Sequence, residues 1–359
     1  MPPGLKIIPL TLCAAIALHA QNGPQSLIGK GWGLDHVILV QRSADDARKI
    51  FGAELGFSIV SGNKFPDEGL ENGPILLPPA YLELMWVYDA GKFSATANGG
   101  ELGAMMDATV RRAREEGGAV AAYNVDVSPA EDAANFLRGR GMKVSLPPSV
   151  TTVINGVQQP GPWQFLNITY EEGQAKPPAG VPGGERVGVL EYRNNGDRLT
   201  ADRLRQTRER IQRDFPDARR KPGDLHANTA RKLEAVWVVV SNVQEAVKQS
   251  ELLGFAPGRN RTLKVLGARG REVQCGQGAI VFWAPDKKSG PLAAMLASHG
   301  PGPFGVSVRV ESLSRAHEIV EQGTGRQLRI EKNHGRNSFL VPGEATGGIW
   351  VEFVQDVQE

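Results

Sequence analysis

Cysteine is nearly absent from this chain of 359 residues, which has only two. Cys13 lies in an apolar segment near the N-terminus, so Cys275 is alone in the rest of the chain. That excludes an intramolecular disulfide there and any cysteine-based zinc site. The neighbours of Cys275 (Gln274, Gly276 and Gln277) supply no general base, so we do not expect it to act as a nucleophile.

An excess of one charge sign and a long hydrophobic run are also missing. Lys and Arg number 41 against 39 Asp and Glu, a net charge of +2, which gives no reason to expect nucleic acid as a partner. The N-terminal apolar run, Ile7–Ala17, is too short to span a bilayer. With Lys6 before it and Ala20 after it, the run predicts a signal peptide over 1–20 and export to the periplasm or the extracellular space.

Two common catalytic signatures are lacking as well. No phosphate-binding glycine loop joins a strand to a helix, and no serine stands in a nucleophile elbow. The sequence therefore gives no sign of a nucleotide-binding loop or of a Ser-His-Asp triad.

The chain does contain an internal repeat. One unit begins with the strand Gly33–Val40, continues with a helix over Ser43–Phe51 and ends in a Leu-Gly-Phe turn at 55–57. A second copy begins at Lys232 and ends in the same turn at 253–255. Leu34 and Leu233 are 199 residues apart, and Gly56 and Gly254 are 198 apart, which indicates duplication.

Weaker copies follow each of these units, so we predict four β-α-β-β-β modules. They occupy 31–90, 118–172, 231–285 and 303–356, and pair into domain one (31–172) and domain two (231–356). A proline- and glycine-rich linker with a charged helix over Asp197–Phe215 fills 173–230. Short helices between strands predict an α+β fold.

One histidine and one glutamate stand out on two apolar strands of the first module. Alternation places His36 on the same face as Leu34 and Ile38, and Glu83 on the same face as Tyr81. A carboxylate among so many apolar side chains is costly unless something pairs with it. A metal ion, or a proton shared with His36, would offset that cost.

The first module resembles the vicinal oxygen chelate superfamily, in particular its glyoxalase-like domain proteins. The resemblance is carried by four short motifs: Leu34-Asp35-His36-Val37, Glu54-Leu55-Gly56-Phe57, Gly69-Leu70-Glu71-Asn72 and Tyr81-Leu82-Glu83-Leu84. It implies that paired modules enclose a cupped cavity within mixed β-sheets. It also implies metal ligands on the first and last strands of each module, where His36 and Glu83 stand.

The other modules depart from this ligand pattern. In module two, Val120 or a neighbour takes the first-strand place, and the last strand is predicted over Trp163–Tyr170. Besides Glu83, which we consider as a catalytic group, we name four candidates for the substrate pocket: Asn72, Tyr81, Tyr123 and Asn167. In domain two, only Glu352 matches a ligand place; Ala235, Val281 and Gly305 take the other three.

These observations leave more than one function open. His36 and Glu83 would bind a divalent cation such as Zn, Ni, Mn or Fe, for lyase, isomerase or dioxygenase chemistry on a small molecule with adjacent oxygens. Alternatively, the chain is a non-catalytic protein that sequesters a small molecule, with His36 an ordinary core histidine. A purely structural role is a third reading. The substrate and the oligomeric state do not follow from the sequence.

Overall fold

The computed structural model of the chain describes residues 26–97, 101–149, 151–154, 157–171, 173–192, 201–333 and 335–356. The predicted signal peptide lies outside them. The strands are β1 (Gly33–Gln41), β2 (Lys64–Phe65), β3 (Leu70–Leu77), β4 (Ala80–Val87), β5 (Gly118–Asp126), β6 (Lys143–Ser145), β7 (Thr151–Ile154), β8 (Val157–Pro160), β9 (Trp163–Thr169), β10 (Val187–Tyr192), β11 (Ala230–Val239), β12 (Pro257–Leu263), β13 (Ala268–Cys275), β14 (Gly278–Pro285), β15 (Gly302–Val310), β16 (Glu331–Asn333), β17 (Arg336–Val341) and β18 (Trp350–Gln355).

The α-helices are α1 (Ala44–Ala47), α2 (Ala90–Ala97), α3 (Glu101–Glu116), α4 (Ala130–Arg138), α5 (Ala201–Asp214), α6 (Val243–Leu252), α7 (Pro291–His299) and α8 (Leu313–Thr324). A π-helix over Arg48–Glu54 continues α1, and two short 3₁₀ turns cover Lys264–Leu266 and Gly343–Ala345. In the described part of the chain, no helix is both long and apolar enough to cross a membrane.

The strands form two mixed sheets, one for each predicted domain, and the first also includes β10 from the predicted linker. The first has the order β6-β9-β10-β5-β1-β4-β3-β2-β7-β8, and the second has the order β12-β13-β14-β11-β15-β18-β17-β16. In both, the first strand of the domain lies between a parallel partner from its own module and an antiparallel partner from the next module. The predicted α+β fold with cupped mixed sheets is confirmed.

Each sheet is buried on both faces. One face packs in a core between the two sheets, and the other, concave face (the cup) packs within its own domain. On β11, Val236 and Val238 belong to a core that both domains share, whereas Trp237 and Val239 belong to a separate cluster within the cup of domain two. Rings of both domains meet in the shared core, where Phe57 stacks on Phe353 with centroids 5.8 Å apart. Full burial of each large apolar side chain stabilises the fold by roughly 1.5–3 kcal/mol, so this shared core ties the domains together.

Helices that follow the main strands close over parts of each cup. Met106 and Val110 of α3 pack on cup-facing residues of β1 and β4 in domain one, and α7 places Leu292 in the cup of domain two. On the other side of the first cup, α5 buries Ile211 against Leu76. The charged helix predicted over Asp197–Phe215 is confirmed over Ala201–Asp214.

Module two ends in a different strand from the predicted one. Trp163–Tyr170 was expected to close it, but β9 is antiparallel to β10 and lies farther from the centre of the sheet. The strand parallel to β5 is β10, which lies in the segment predicted as a linker. Only the pairing with β5 identifies it, because a short strand after a proline-rich segment has no distinctive pattern of its own.

A β-bulge in β1 changes which residues share a face. The pairing with β5 shifts between Leu34 and His36, so the strict alternation of side chains is broken there. Leu34 lies in the shared core with Val37 and Leu39, on the face opposite His36. The expectation that Leu34 and His36 share a face is therefore wrong.

Candidate functional site

A cluster of buried polar side chains lies in the cup of domain one, on the central strands of the sheet. It comprises Asp35, His36, Asn72, Glu83, Asn124 and Tyr192, each less than 9% exposed. They come from five strands: β1, β3, β4, β5 and β10. Buried polar groups are stable only when they are hydrogen-bonded, and the partners of each one define what the cluster can do.

The imidazole of His36 is held from its Nδ1 side. Nδ1 lies 2.5 Å from Oδ2 of Asp35, and the hydroxyl of Tyr192 donates to the same oxygen at 2.8 Å. The ring of Tyr81 stacks on the imidazole with centroids 4.5 Å apart. With Nδ1 and the ring plane both held, Nε2 is the nitrogen directed towards the rest of the cluster.

The carboxylate of Glu83 is held in a similar way. Asn72 donates from Nδ2 to Oε1 of Glu83 at 2.5 Å. The side-chain oxygen of Asn72 in turn accepts from the backbone N–H of Asn63 at 2.6 Å, which fixes the orientation of the amide. Oε2 of Glu83 is thus the oxygen left to face His36.

The two free ends converge. Nε2 of His36 and Oε2 of Glu83 are 3.4 Å apart, and Nδ2 of Asn124 is 2.7 Å from the same Nε2. The predicted pairing of His36 with Glu83 on one face is therefore present in the geometry, with an amide beside it.

Charge in the cluster favours a protonated imidazole when no cation is present. Burial alone lowers the pKa of His36, but the hydrogen bond that its Nδ1–H donates to Asp35 and the negative charges of Asp35 and Glu83 outweigh it, so the pKa is raised above its ordinary value. The phenol of Tyr192 is buried beside Asp35, which raises its pKa well above the usual range and keeps it a neutral donor. The cluster is therefore a place that attracts positive charge.

The structure brings only some of the predicted pocket residues to this cluster. Asn72 and Tyr81 contact Glu83 and His36 as described. Tyr123 faces the opposite side of the sheet, in the shared core, and its hydroxyl donates to the carbonyl of Gly180. Asn167 is exposed on β9, where it pairs with Ser145.

Three members of the cluster were not predicted as site residues. Asp35 adjoins His36 in sequence, so simple alternation places it on the other face, and only the bulge brings the two together. Tyr192 belongs to the strand that was predicted as linker. Asn124 carried a usable signal, because it lies on the same strand as the expected module-two ligand.

Strand register identifies the places in each module that correspond to His36 and Glu83. Glu83 pairs with Ile38, two residues after His36. By the same rule Glu352 pairs with Ser307, two residues after Gly305, as expected from the sequence.

In both cases the ligand place on the last strand pairs with the residue two positions after the ligand place on the first strand. This spacing also identifies the ligand places in module two. Gly188 pairs with Asn124, so the corresponding places are Gly188 and Ala122. Ala122 thus replaces the expected Val120, which faces the shared core. Neither alanine nor glycine has a donor atom in its side chain.

The donor atoms of His36 and Glu83 fit a divalent cation, as the resemblance of the first module implies. Two ligands that each lie about 2.1 Å from one tetrahedral cation are about 3.4 Å apart, which matches Nε2 and Oε2. The hydrogen bonds behind both groups are those that orient metal ligands. Among the described residues, no group of three or more His, Cys, Asp or Glu side chains is arranged to hold a metal ion, so His36 and Glu83 would supply only two ligands.

Comparisons with known proteins agree with this architecture. A family model described as a glyoxalase-like domain matches residues 34–254, more than half of the chain. A solved triple variant of 4-hydroxymandelate synthase from Streptomyces coelicolor is similar, with 10% identity over 90% of this chain and 92% of that one, at a TM-score of 0.56. A hypothetical protein from Staphylococcus aureus has 14% identity over 90% of this chain and 98% of that one, at a TM-score of 0.54. These identities show a shared fold alone, and no curated protein matches the chain.

Proposed function

Because the chain belongs to the glyoxalase-like domain family of the vicinal oxygen chelate superfamily, we propose that its first domain is a metal-assisted enzyme acting on a small molecule with adjacent oxygens. His36 and Glu83 would hold the cation, through Nε2 and Oε2. The observation that carries the proposal is the 3.4 Å approach of these two atoms, each on a side chain whose other end is hydrogen-bonded.

The bound cation would polarise a carbonyl of the substrate and leave positions open for its oxygens. Asp35, held by Tyr192, keeps a proton on Nδ1 of His36, so that Nε2 stays a lone-pair donor. Asn72 holds Oε1 of Glu83, so Oε2 would be both the ligand atom and, once it leaves the cation, the oxygen that accepts a proton from the carbon next to that carbonyl. Metal-assisted lyase, isomerase or dioxygenase chemistry on a substrate with adjacent oxygens would use substrate oxygens bound in this way.

The test is the metal content of the purified protein, measured by elemental analysis beside a His36→Ala/Glu83→Ala double variant. We expect a single divalent cation per chain and its loss in the variant. Glu352→Gln is the matched control, because Glu352 takes the corresponding place in domain two without a histidine partner. A double variant that keeps its metal would refute the proposed site, and a metal-bearing protein would next be screened with 2-oxoaldehydes and catechol-like compounds.

A second function, sequestration of a small molecule without turnover, is favoured by one observation. The module-two ligand places are Ala122 and Gly188, so half of the ligand set has no donor. A ligand that raises the melting temperature, with neither metal in the protein nor product formed, would support this alternative and exclude the enzyme.

The place of action is part of the proposal. Export to the periplasm or the extracellular space is supported by the predicted signal peptide over 1–20. Mass spectrometry of the protein recovered from outside the cytoplasm, starting after Ala20, would support it; an intact N-terminus in the cytoplasmic fraction would contradict it.

A further inference from the structure

Asn124 occupies the space that the vacant ligand places of module two leave open. It lies on β5 directly opposite His36, and Gly188 is its neighbour on β10. A Cβ atom added at Gly188 would come within 1.8 Å of Oδ1 of Asn124. The side chain of Asn124 therefore fills the volume that a larger residue at 188 would need.

The amide of Asn124 reaches the metal-binding end of the cluster. Its Nδ2 is 2.7 Å from Nε2 of His36, and the residue is 4% exposed. A half-turn of the amide exchanges its nitrogen and oxygen at nearly the same positions. The oxygen then takes the place 2.7 Å from Nε2 of His36, which is itself 3.4 Å from Oε2 of Glu83. Amide oxygens are good ligands for hard divalent cations.

Domain two supplies an independent parallel. Ser307 lies opposite Ala235 just as Asn124 lies opposite His36. Its hydroxyl donates to Oε2 of Glu352 at 2.6 Å, so in domain two the residue at this place contacts a ligand place of its own module, whereas Asn124 contacts His36 of the other module. A side chain here is positioned by the strand register to contact a ligand-bearing strand.

We propose that Asn124 is the third protein ligand of the cation, through its amide oxygen, and that it compensates for the missing donors at Ala122 and Gly188. This inference rests on the proposed function, since it requires that His36 and Glu83 bind a cation. It makes the site a set of one imidazole, one carboxylate and one amide, which suits Mn, Fe, Ni or Zn. It also explains why the residue at 188 has no side chain.

The test is binding of Co²⁺ or Mn²⁺ alone to the full chain, measured by titration calorimetry, with Co²⁺ visible absorption as a second readout. We expect Asn124→Ala to weaken affinity by about tenfold or more and Asn124→Asp to strengthen it, since ligands and the groups that orient them control affinity on this scale. The Co²⁺ absorption bands should change in both variants. Ser307→Ala, at the corresponding place in domain two, should leave the affinity unchanged.

Gly188→Ala gives a second route that keeps the amide in the chain. Its methyl group should displace Asn124 and weaken Co²⁺ binding, while the same change in the Asn124→Ala background should have no further effect. If Asn124→Ala binds Co²⁺ like the wild type while His36→Ala does not, the inference is overturned and the proposed function stands. If the wild type binds neither cation, both fail. Circular dichroism of each variant distinguishes lost ligation from lost folding.

Discussion

At the scale of single residues, the functional cluster depends on side chains that hold other side chains. Asp35 and His36 are neighbours in sequence, yet the bulge in β1 allows them to share a hydrogen bond at 2.5 Å. Glu83 depends in the same way on Asn72, and Asn72 on a backbone amide. His36 and Glu83 need little rearrangement to bind a cation, because hydrogen bonds to their other polar atoms already orient both side chains.

We predict that Asp35→Asn weakens cation binding about ten- to hundredfold, which is the usual effect of removing a group that orients a metal ligand. The asparagine still accepts a hydrogen bond from Nδ1 of His36. It lacks the negative charge that makes Nε2 a better electron-pair donor to the cation. Titration calorimetry with Co²⁺ checks this. Asp45→Asn, which changes an exposed carboxylate paired only with Arg48, is the control. Equal affinity in both variants would contradict the positioning role.

His226 predicts a dependence of stability on pH. It is fully buried, accepts a hydrogen bond from the backbone of Ser58 and contacts the carbonyl of Leu76, and burial lowers its pKa from 6.5 to about 4. In the unfolded state His226 binds a proton below about pH 6.5, whereas in the folded state it remains neutral down to about pH 4. The contribution of His226 to the free energy of unfolding is therefore fully present above pH 6.5. It falls as the pH drops towards 4, by about 3 kcal/mol at most.

Urea unfolding at several pH values between 7.5 and 4.5 measures this effect. His226→Gln keeps an acceptor and a donor at the two places but does not titrate, so its stability should vary less over this range. Parallel curves for the two proteins would show that other groups govern the acid sensitivity.

At the scale of elements, the π-helix over Arg48–Glu54 is held by a distant arginine. Arg219 donates to the carbonyls of Ala53 at 2.8 Å and Gly52 at 3.4 Å, near the C-terminal end of the helix. Asp217 pairs with the same guanidinium and keeps it in place. The carbonyls near the end of a helix often lack backbone partners. Arg219 adds a donor to that of Ala53 and a second donor to that of Gly52, which also accepts from the N–H of Gly56.

We predict that Arg219→Ala lowers the free energy of unfolding by about 1 kcal/mol, a value reduced for its partial exposure. Urea unfolding measures it. Arg213→Ala is the matched control, because Arg213 is exposed and pairs only with Asp214 beside it in sequence. If Arg219→Ala and Arg213→Ala lower the free energy of unfolding equally, the contact of Arg219 with the π-helix does not stabilise the fold.

At the scale of the whole molecule, the two domains meet through backbone as well as through the shared core. Gly33 of β1 pairs with Gly276, which follows β13 in domain two. Gly276 has a φ of +60°, and a Cβ atom there would lie 2.1 Å from the carbonyl oxygen of Trp32. The close approach is possible only because both residues lack side chains.

Gly276→Ala should therefore destabilise the protein by more than backbone strain alone. Gly267→Ala is the control, since Gly267 has a φ of +58° and no atom within 4 Å of its added Cβ. We expect Gly267→Ala to lower the free energy of unfolding by about 1–2 kcal/mol and Gly276→Ala to lower it clearly more, as measured by urea unfolding. Similar decreases in the two variants would mean that the backbone contact between the domains can shift to accommodate the methyl group without lowering stability further.

The sequence by itself determined the internal repeat, the α+β fold and the central pair of His36 and Glu83. Repeated landmarks 198 and 199 residues apart are local features, and alternation along a strand predicts a face, so His36 and Glu83 could be found without a structure. The ligand places in domain two also followed, because regular strands keep their register.

Only the tertiary structure decided the rest of the cluster. The bulge that moved Leu34 away from His36 and Asp35 towards it arises from pairing with β5. The last strand of module two, with Gly188 and Tyr192, is recognised by its parallel partner rather than by its own sequence. A strand's partners and its bulges are set by contacts between residues far apart in the chain, and a pattern of neighbouring residues carries no information about them.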